Sequence, residues 1–502
     1  MHLRLIGQLD PLTCFRAGMS VVAAACVAAG CATYEPAPVD LSAHQAAFLE
    51  RTPESAVDTR GGGARGASGD GSASAAPGAI GTPDARAAAA EEPAARDGSG
   101  AITLDASDGL TLEESELVAL VFNADLRRAR EQAGVARAGA ENAGLWDDPR
   151  IALQFTRILE SVSDPNELFG SFSMTLPISG RLEIEKKRLG LAHAAALARV
   201  AQMEWQVRMD VRREWARLAA LVAQRESMRE FVSLLDGVVE VVQAMARDGE
   251  IAAIEARLFS LERLSANVEL YRLDAMCRES ELATLHLLGL PPRTAAELLT
   301  QGSTPRPVEG EVVGDDAALQ QRVLQGPALL VAMAEYEVAE STLEEQVRIQ
   351  YPDLQIGPGY GTQNTDRQVL VGISVPLPIL NGNRRGIAES HAAREVARAS
   401  VELALESAIA SVALRQSQWS AARRQREIIE GELVPLVELQ YAQAREVARL
   451  GEVNTLALME GLKRRNEARM RLVGAMRDEA IAAIDVEEIL GPPEEPVAGD
   501  SK

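Results

Sequence analysis

The sequence predicts a mainly α-helical chain with a small β part: long helical hairpins that carry four short strands. Three observations predict it. The 502 residues include 83 Ala, whereas aromatics are only 4%. Length alone would suggest about three globular domains, but bulky material for three cores is missing. The composition suits long helices packed closely through small side chains. Second, three separate features recur in the same order at an offset near 200. Third, Arg181 to Arg247 and Asn383 to Arg449 hold helical periodicity with few breakers. At 1.5 Å per residue each stretch is about 100 Å long, too long for a compact domain and suited to a coiled-coil array.

Composition also excludes. With 51 Lys+Arg against 73 Asp+Glu the net charge is −22, which rules out a general nucleic-acid binder, since phosphates need a basic surface. Five His and four Cys leave little material for a metal or thiol active site.

Residues 1–30 read as an export signal. Arg4 and Arg16 are basic, and Met19 to Gly30 is a run of small and apolar residues, shorter than the about 20 that span a bilayer. Val27-Ala28-Ala29-Gly30 before Cys31 resembles the bacterial lipoprotein signal. That resemblance implies cleavage before Cys31 and lipidation on it, with Ala32 favouring outer-membrane sorting. The alternative is an ordinary secretory signal. Asp10 is unusual there, so Met19 stands as an alternative start. Beyond Cys31 only Cys277 remains, which excludes an intrachain disulfide in the mature chain and makes it a packing residue. Residues 31–108 read as a lipid-anchored tether: from Thr59 to Gly100 Ile80 is the only large apolar side chain, too little to order the segment.

The repeat follows. Pro149-Arg-Ile151-Ala-Leu153 returns as Pro352-Asp-Leu354-Gln-Ile356. Ser173-Met-Thr-Leu176-Pro177-Ile178 returns as Ser374-Val-Pro-Leu377-Pro378-Ile379. Ala246-Arg247-Asp248-Gly249-Glu250-Ile251 returns as Ala448-Arg449-Leu450-Gly451-Glu452-Val453. Ordered matches at one period indicate a tandem duplication. The units are 109–310 and 311–488, with a tail at 489–502.

Each unit opens with an amphipathic helical segment, 111–145 and 315–348. A β-hairpin follows, 150–177 and 353–378. Ile151, Leu153 and Phe155, and then Val369, Val371 and Ile373, alternate with small or polar residues. Period two with one apolar face is the strand signature, and the length suits a tilted strand crossing a bilayer. A helical hairpin comes next, 181–290 and 383–488. Gly249 and Gly451 sit at its tips, since Gly fits the left-handed position that ends a helix. Pro435 should kink or loosen the second long helix. Four strands cannot close a barrel, and an open sheet in lipid leaves unpaired edges. If the hairpins are membrane strands the chain must therefore oligomerise; the alternative is a soluble hairpin packed on helices.

In order, the chain shows the lipoprotein signal, Leu110-Thr111-Leu112-Glu113-Glu114, and Ala143-Gly144-Leu145-Trp146-Asp147-Asp148-Pro149. The Leu-Pro-Ile strand end and the Gly-Glu tip follow, and the set repeats. This resembles the TolC-like outer membrane efflux family, most closely its metal-efflux branch. The resemblance covers about residues 109–488. It implies a homotrimer with a twelve-stranded barrel and a periplasmic α-barrel, set in outer-membrane lipid. It also implies docking through Gly249, Glu250, Gly451 and Glu452 onto a periplasmic adaptor coupled to an inner-membrane pump. The family's second-tip acidic residue is absent, with Thr455, Leu456 and Ala457 in its place. Asp248 and Glu446 are then the nearest gate candidates, beside Glu250.

No catalysis is expected. His193 and His391 stand singly near the starts of long helices, and a metal site needs several convergent ligands. No phosphate-binding glycine loop occurs. The expectation is a passive efflux channel without enzyme activity, cofactor, metal or nucleic-acid partner. Two alternatives remain: the channel of a type I protein secretion system, and a lipid-anchored periplasmic coiled-coil spacer.

Overall fold

The computed structural model describes residues 34, 36–56, 109–157, 166–294, 299, 316–363, 366–449 and 455–492. Residues 1–50 form one compact unit and 51–502 a second. The described part of the first contains α1, Leu41–Leu49, capped by Asp40, whose side chain accepts from the Ser42 and Ala43 amides at 3.0 Å. The stretch assigned to a tether therefore holds a helix. The Gly-free run after Asp40 supplies both a cap and good helix formers.

The larger unit begins its described helices with α2, Leu112–Phe122, and α3, Ala124–Glu141. Sequence periodicity reads this segment as one helix; the structure breaks it at Asn123. Thr111 and Glu114 close α2 with a reciprocal capping box. Asn123 ends that helix and caps the next, its Oδ1 accepting from the Leu126 amide at 3.1 Å. Strands β1, Arg150–Arg157, and β2, Asn166–Leu176, follow. Then comes α4, Arg181–Asp248, a single helix of 68 residues. It is flanked by Gly180 (φ 71°) and Gly249 (φ 80°), both left-handed. The return helix α5, Ala253–Leu288, ends at Gly289, φ 68°.

The second set repeats this order. Helices α6, Asp316–Leu324, and α7, Pro327–Arg348, are divided at Gly326-Pro327, Pro being favoured at a helix start. Strands β3, Leu354–Gln363, and β4, Asp366–Ser374, precede α8, Arg384–Ile428. A π turn, Ile429–Leu433, joins α8 to α9, Val434–Arg449. The expected loosening at Pro435 thus takes the form of a π turn in the preceding residues. Pro435 brings no N–H and its ring crowds the carbonyl one turn back; the Val434 amide reaches the Ile429 carbonyl instead. Helix α10, Thr455–Leu490, closes the set before Gly491, φ 76°.

Helix α4 is the spine, packing against α2, α3, α5, α7 and α10. One core cluster gathers Val207, Val211, Trp215 and Leu218 of α4 with residues of α2 and the end of α5. A second surrounds Phe231, Leu235, Leu273 and Cys277. Cys277 is buried and its thiol is pushed up chiefly by that burial, so it packs rather than reacts.

Candidate functional site

The four strands form one antiparallel sheet in the order β1-β2-β3-β4. Register places like with like. Ile151 opposes Phe172, Leu153 opposes Gly170 and Phe155 opposes Leu168. Ile356 lies between Met174 and Ile373, and Tyr360 between Gly170 and Val369. Residues directly opposite share a face, so this face is apolar across all four strands. It is also bare: Leu153 is 59% exposed and Val371 74%. The other face carries Arg150 and Ser173, Ala152 and Ser171, and Gln355 and Ser374, which are polar or small. Large bare apolar surfaces mark contact with another protein or with lipid. Strands β1 and β4 each pair on one side only.

On the polar face β3 presents Gly357, Gly359 and Gly361. The Phe169 ring covers the last two: a Cβ at Gly359 would stand 2.5 Å from Phe169 Cζ, and Gly361 meets the same ring. The side chain lies along the wall, as aromatics do over strand glycines.

The far end is the α4–α5 tip. Asp248 is the last residue of α4, and the Glu250 amide donates to the Met245 carbonyl at 2.9 Å, the six-to-one bond of a left-handed glycine cap. Asp248, Gly249 and Glu250 are all exposed. Beneath them Phe259 is fully buried among Val239, Val242 and Ala256, with Ile251 and Met459 packed on it. Met459 brings α10 to the same end. Glu446 is exposed near the end of α9. Gly451 and Glu452 lie outside the described residues, as does Cys31.

Between sheet and tip lies an ion-pair network that the sequence reading missed. Arg213 of α4 reaches Asp485 at 2.8 Å and Asp210 at 2.6 Å, and also pairs with Glu488. Arg212 reaches Glu116 of α2 at 2.6 Å and Glu487 at 3.1 Å. Arg415 of α8 completes the link to Asp485 at 3.0 Å. Burial pulls the Arg213 guanidinium down, but Asp485, Glu488 and Asp210 together raise it. Asp210 and Glu488 are both pushed up by burial, against the pull of Arg213. The only sequence signal was the Arg-rich face of α4 and the acidic end of α10.

Among the described residues no three His, Cys, Asp or Glu side chains gather to hold a metal. His193 and His391 sit on different helices, α4 and α8, and His391 lies 3.3 Å from Arg394. No described helix is long and apolar enough to cross a membrane.

The fold matches solved structures over most of the chain. CusC, solved in work on folding and transmembrane channel formation, superposes with a TM-score of 0.64 at 16% identity, covering 76% of this chain and 92% of CusC. The CmeC outer membrane channel of Campylobacter jejuni gives 0.64 at 13% identity, covering 76% and 86%. The fold is that of the TolC-like outer-membrane channels. In sequence the chain is similar to the cobalt-zinc-cadmium resistance protein CzcC of Cupriavidus metallidurans. The two are 24% identical over 410 residues, 77% of this chain and 91% of the relative. No protein-family model matches the chain.

Proposed function

We propose that the chain is the outer-membrane channel of a tripartite efflux system, a homotrimer that conducts its cargo passively. One observation carries this reading: a four-stranded sheet with an exposed apolar face, a polar opposite face and two strands paired on one side only. Hydrocarbon does not tolerate open sheet edges. Three copies joined edge to edge would close a barrel of twelve strands, lipid outside and polar lumen inside.

The helical end supports the same assembly. On α5, Ile254, Leu261, Leu264, Val268 and Tyr271 are exposed at the spacing of a heptad seam. Leu403, Leu436 and Leu439 are exposed on α8 and α9. Staves of neighbouring copies would cover both. Gly249, Glu250, Gly451 and Glu452 then form the surface offered to a periplasmic adaptor, which couples to an inner-membrane pump. Asp248 and Glu446 are the gate candidates at that end. The likeness to CzcC points to metal ions as cargo. Cys31 would carry the lipid that adds an anchor in the outer membrane.

The test is single-channel conductance of detergent-extracted protein. Trimers that conduct in planar bilayers support the reading. A protein released as a soluble monomer by removing the lipid anchor alone would overturn it in favour of a periplasmic spacer. Loss of cobalt, zinc or cadmium tolerance on deletion would fix the cargo class; defective secretion of a protein would instead select the type I alternative.

A further inference from the structure

The residues that follow α1 are not a spacer. Arg51 Nη1 donates to the Gly289 carbonyl at 3.1 Å, and its guanidinium lies 5.3 Å from the centre of the Phe122 ring. Ala56 is 3% exposed and belongs to the same core cluster as Leu110, Val118, Leu126 and Leu288. The corner they join is tight. Gly289 is left-handed and abuts the Phe122 backbone, and Asn123 Nδ2 donates to the Leu287 carbonyl at 3.0 Å. The last carbonyls of a helix need partners, and a cation suits them.

The second set of elements solves the same problem differently. Gly491 ends α10 as Gly289 ends α5, and its carbonyl accepts from Arg322 of α6 at 3.3 Å. The position of Arg322 maps back, at the repeat offsets of 201 to 203, onto Val121, Leu120 or Ala119 of α2. All three are apolar and belong to or pack on the core cluster. The first set has no arginine at the position equivalent to Arg322, and the cation on the Gly289 carbonyl is Arg51, from upstream.

We propose that residues 51–56 are a strap that completes the first helical corner. Ala56 and Leu110 then lie in one core, and the sequence between them is not part of the lipid tether. Given lipidation of Cys31, on which only this consequence rests, the reach of the anchor is set by residues 31–50 alone. Those residues span at most about 70 Å when extended, and α1 shortens that. Along α4, Arg181 to Val211 spans about 45 Å, so the strap lies within reach of a lipid at the sheet end.

Three variants test this. Ala56→Asp places a carboxylate in the core and should lower the thermal unfolding midpoint by several degrees. Arg51→Ala should lower it less, and Arg51→Lys less than Arg51→Ala. Midpoints equal to the parent's for both Ala56→Asp and Arg51→Ala would overturn the strap. Should Ala56→Asp fail to fold, the Arg51 pair decides. Replacing 58–107 by a short Gly-Ser linker should leave lipidated trimers in the outer membrane within about twofold of parent yield, since no described buried residue is lost; loss of those trimers would restore the segment as part of the tether. Midpoints are measured in the parent and in Cys31→Ser. The strap effect should be the same in both, so failure of lipidation, read by a fatty-acid probe, is separable from failure of the strap.

Discussion

Phe169 and Gly361 oppose one another across the β2–β3 pair, and a Cβ at Gly361 would overlap the Phe169 ring. The polar face of the sheet is therefore as thin as its chemistry allows at this point. Gly361→Val should force the ring off the wall, costing about 1–3 kcal/mol by overpacking. The expected readout is a lower temperature for dissociation of detergent-extracted trimers. Because ring and Cβ compete for one space, Phe169→Ala with Gly361→Ala should cost less than the sum of the single changes. Additive losses would show that the two residues do not share the site.

The tip glycine makes a different demand. Gly249 has φ 80° with open space around its missing Cβ, so only backbone conformation opposes a side chain. Gly249→Val should cost about 1–2 kcal/mol or more, Gly249→Asn distinctly less. If the tip is the docking surface, Gly249→Val should weaken pull-down of the adaptor without altering trimer yield. Normal efflux and normal adaptor capture in that variant would count against the tip assignment.

Much of this was legible in the sequence because it is local. Alternation from Ile151 to Phe155 and from Val369 to Ile373 marks strands, and Gly249 marks a helix end, using only neighbouring residues. What was not legible is set by partners far apart in the chain. That β2 pairs with β3, merging two hairpins into one sheet, depends on residues such as Met174 and Ile356. Arg213 finds Asp485 and Glu488 only once α4 and α10 are antiparallel neighbours. Residues 51–56 carry no periodicity, so nothing in their composition separates a strap from a tether. The break at Asn123 was a local signal that the apolar periodicity on either side concealed.

The Arg213 network has a sign that pH can test. Asp210 and Glu488 have native pKa values raised above their ordinary ones, burial being the main cause. Protons are thus held more tightly in the folded chain than in the unfolded one. Their contribution to stability is full below the unfolded pKa and is lost as pH rises through the native value. Glu488→Gln, which cannot ionise, should therefore be at least as stable as the parent at neutral pH. Its advantage should shrink as the pH falls towards the ordinary carboxylate range. Unfolding midpoints of both proteins across that range check this; an advantage that grows on acidification would refute the sign. Arg213→Met, by contrast, should cost about 3 kcal/mol at neutral pH, because it leaves partly buried carboxylates without their cation.

The π turn has its own charged partner. Arg426, one turn before Ile429, pairs with both Glu479 of α10 and Glu430 within the turn. Glu479 is fully buried, and its second carboxylate oxygen has no hydrogen-bond partner. A buried carboxylate with one satisfied oxygen depends heavily on its single cation. Arg426→Met should therefore destabilise by about 3–5 kcal/mol, far more than a change at an exposed pair such as Arg398 and Glu402. Adding Glu479→Met should recover most of the loss, since the orphaned charge then disappears and an apolar chain fills the space. A double variant no more stable than Arg426→Met in thermal unfolding would mean that the pair serves the geometry of the π turn rather than neutralising a buried charge.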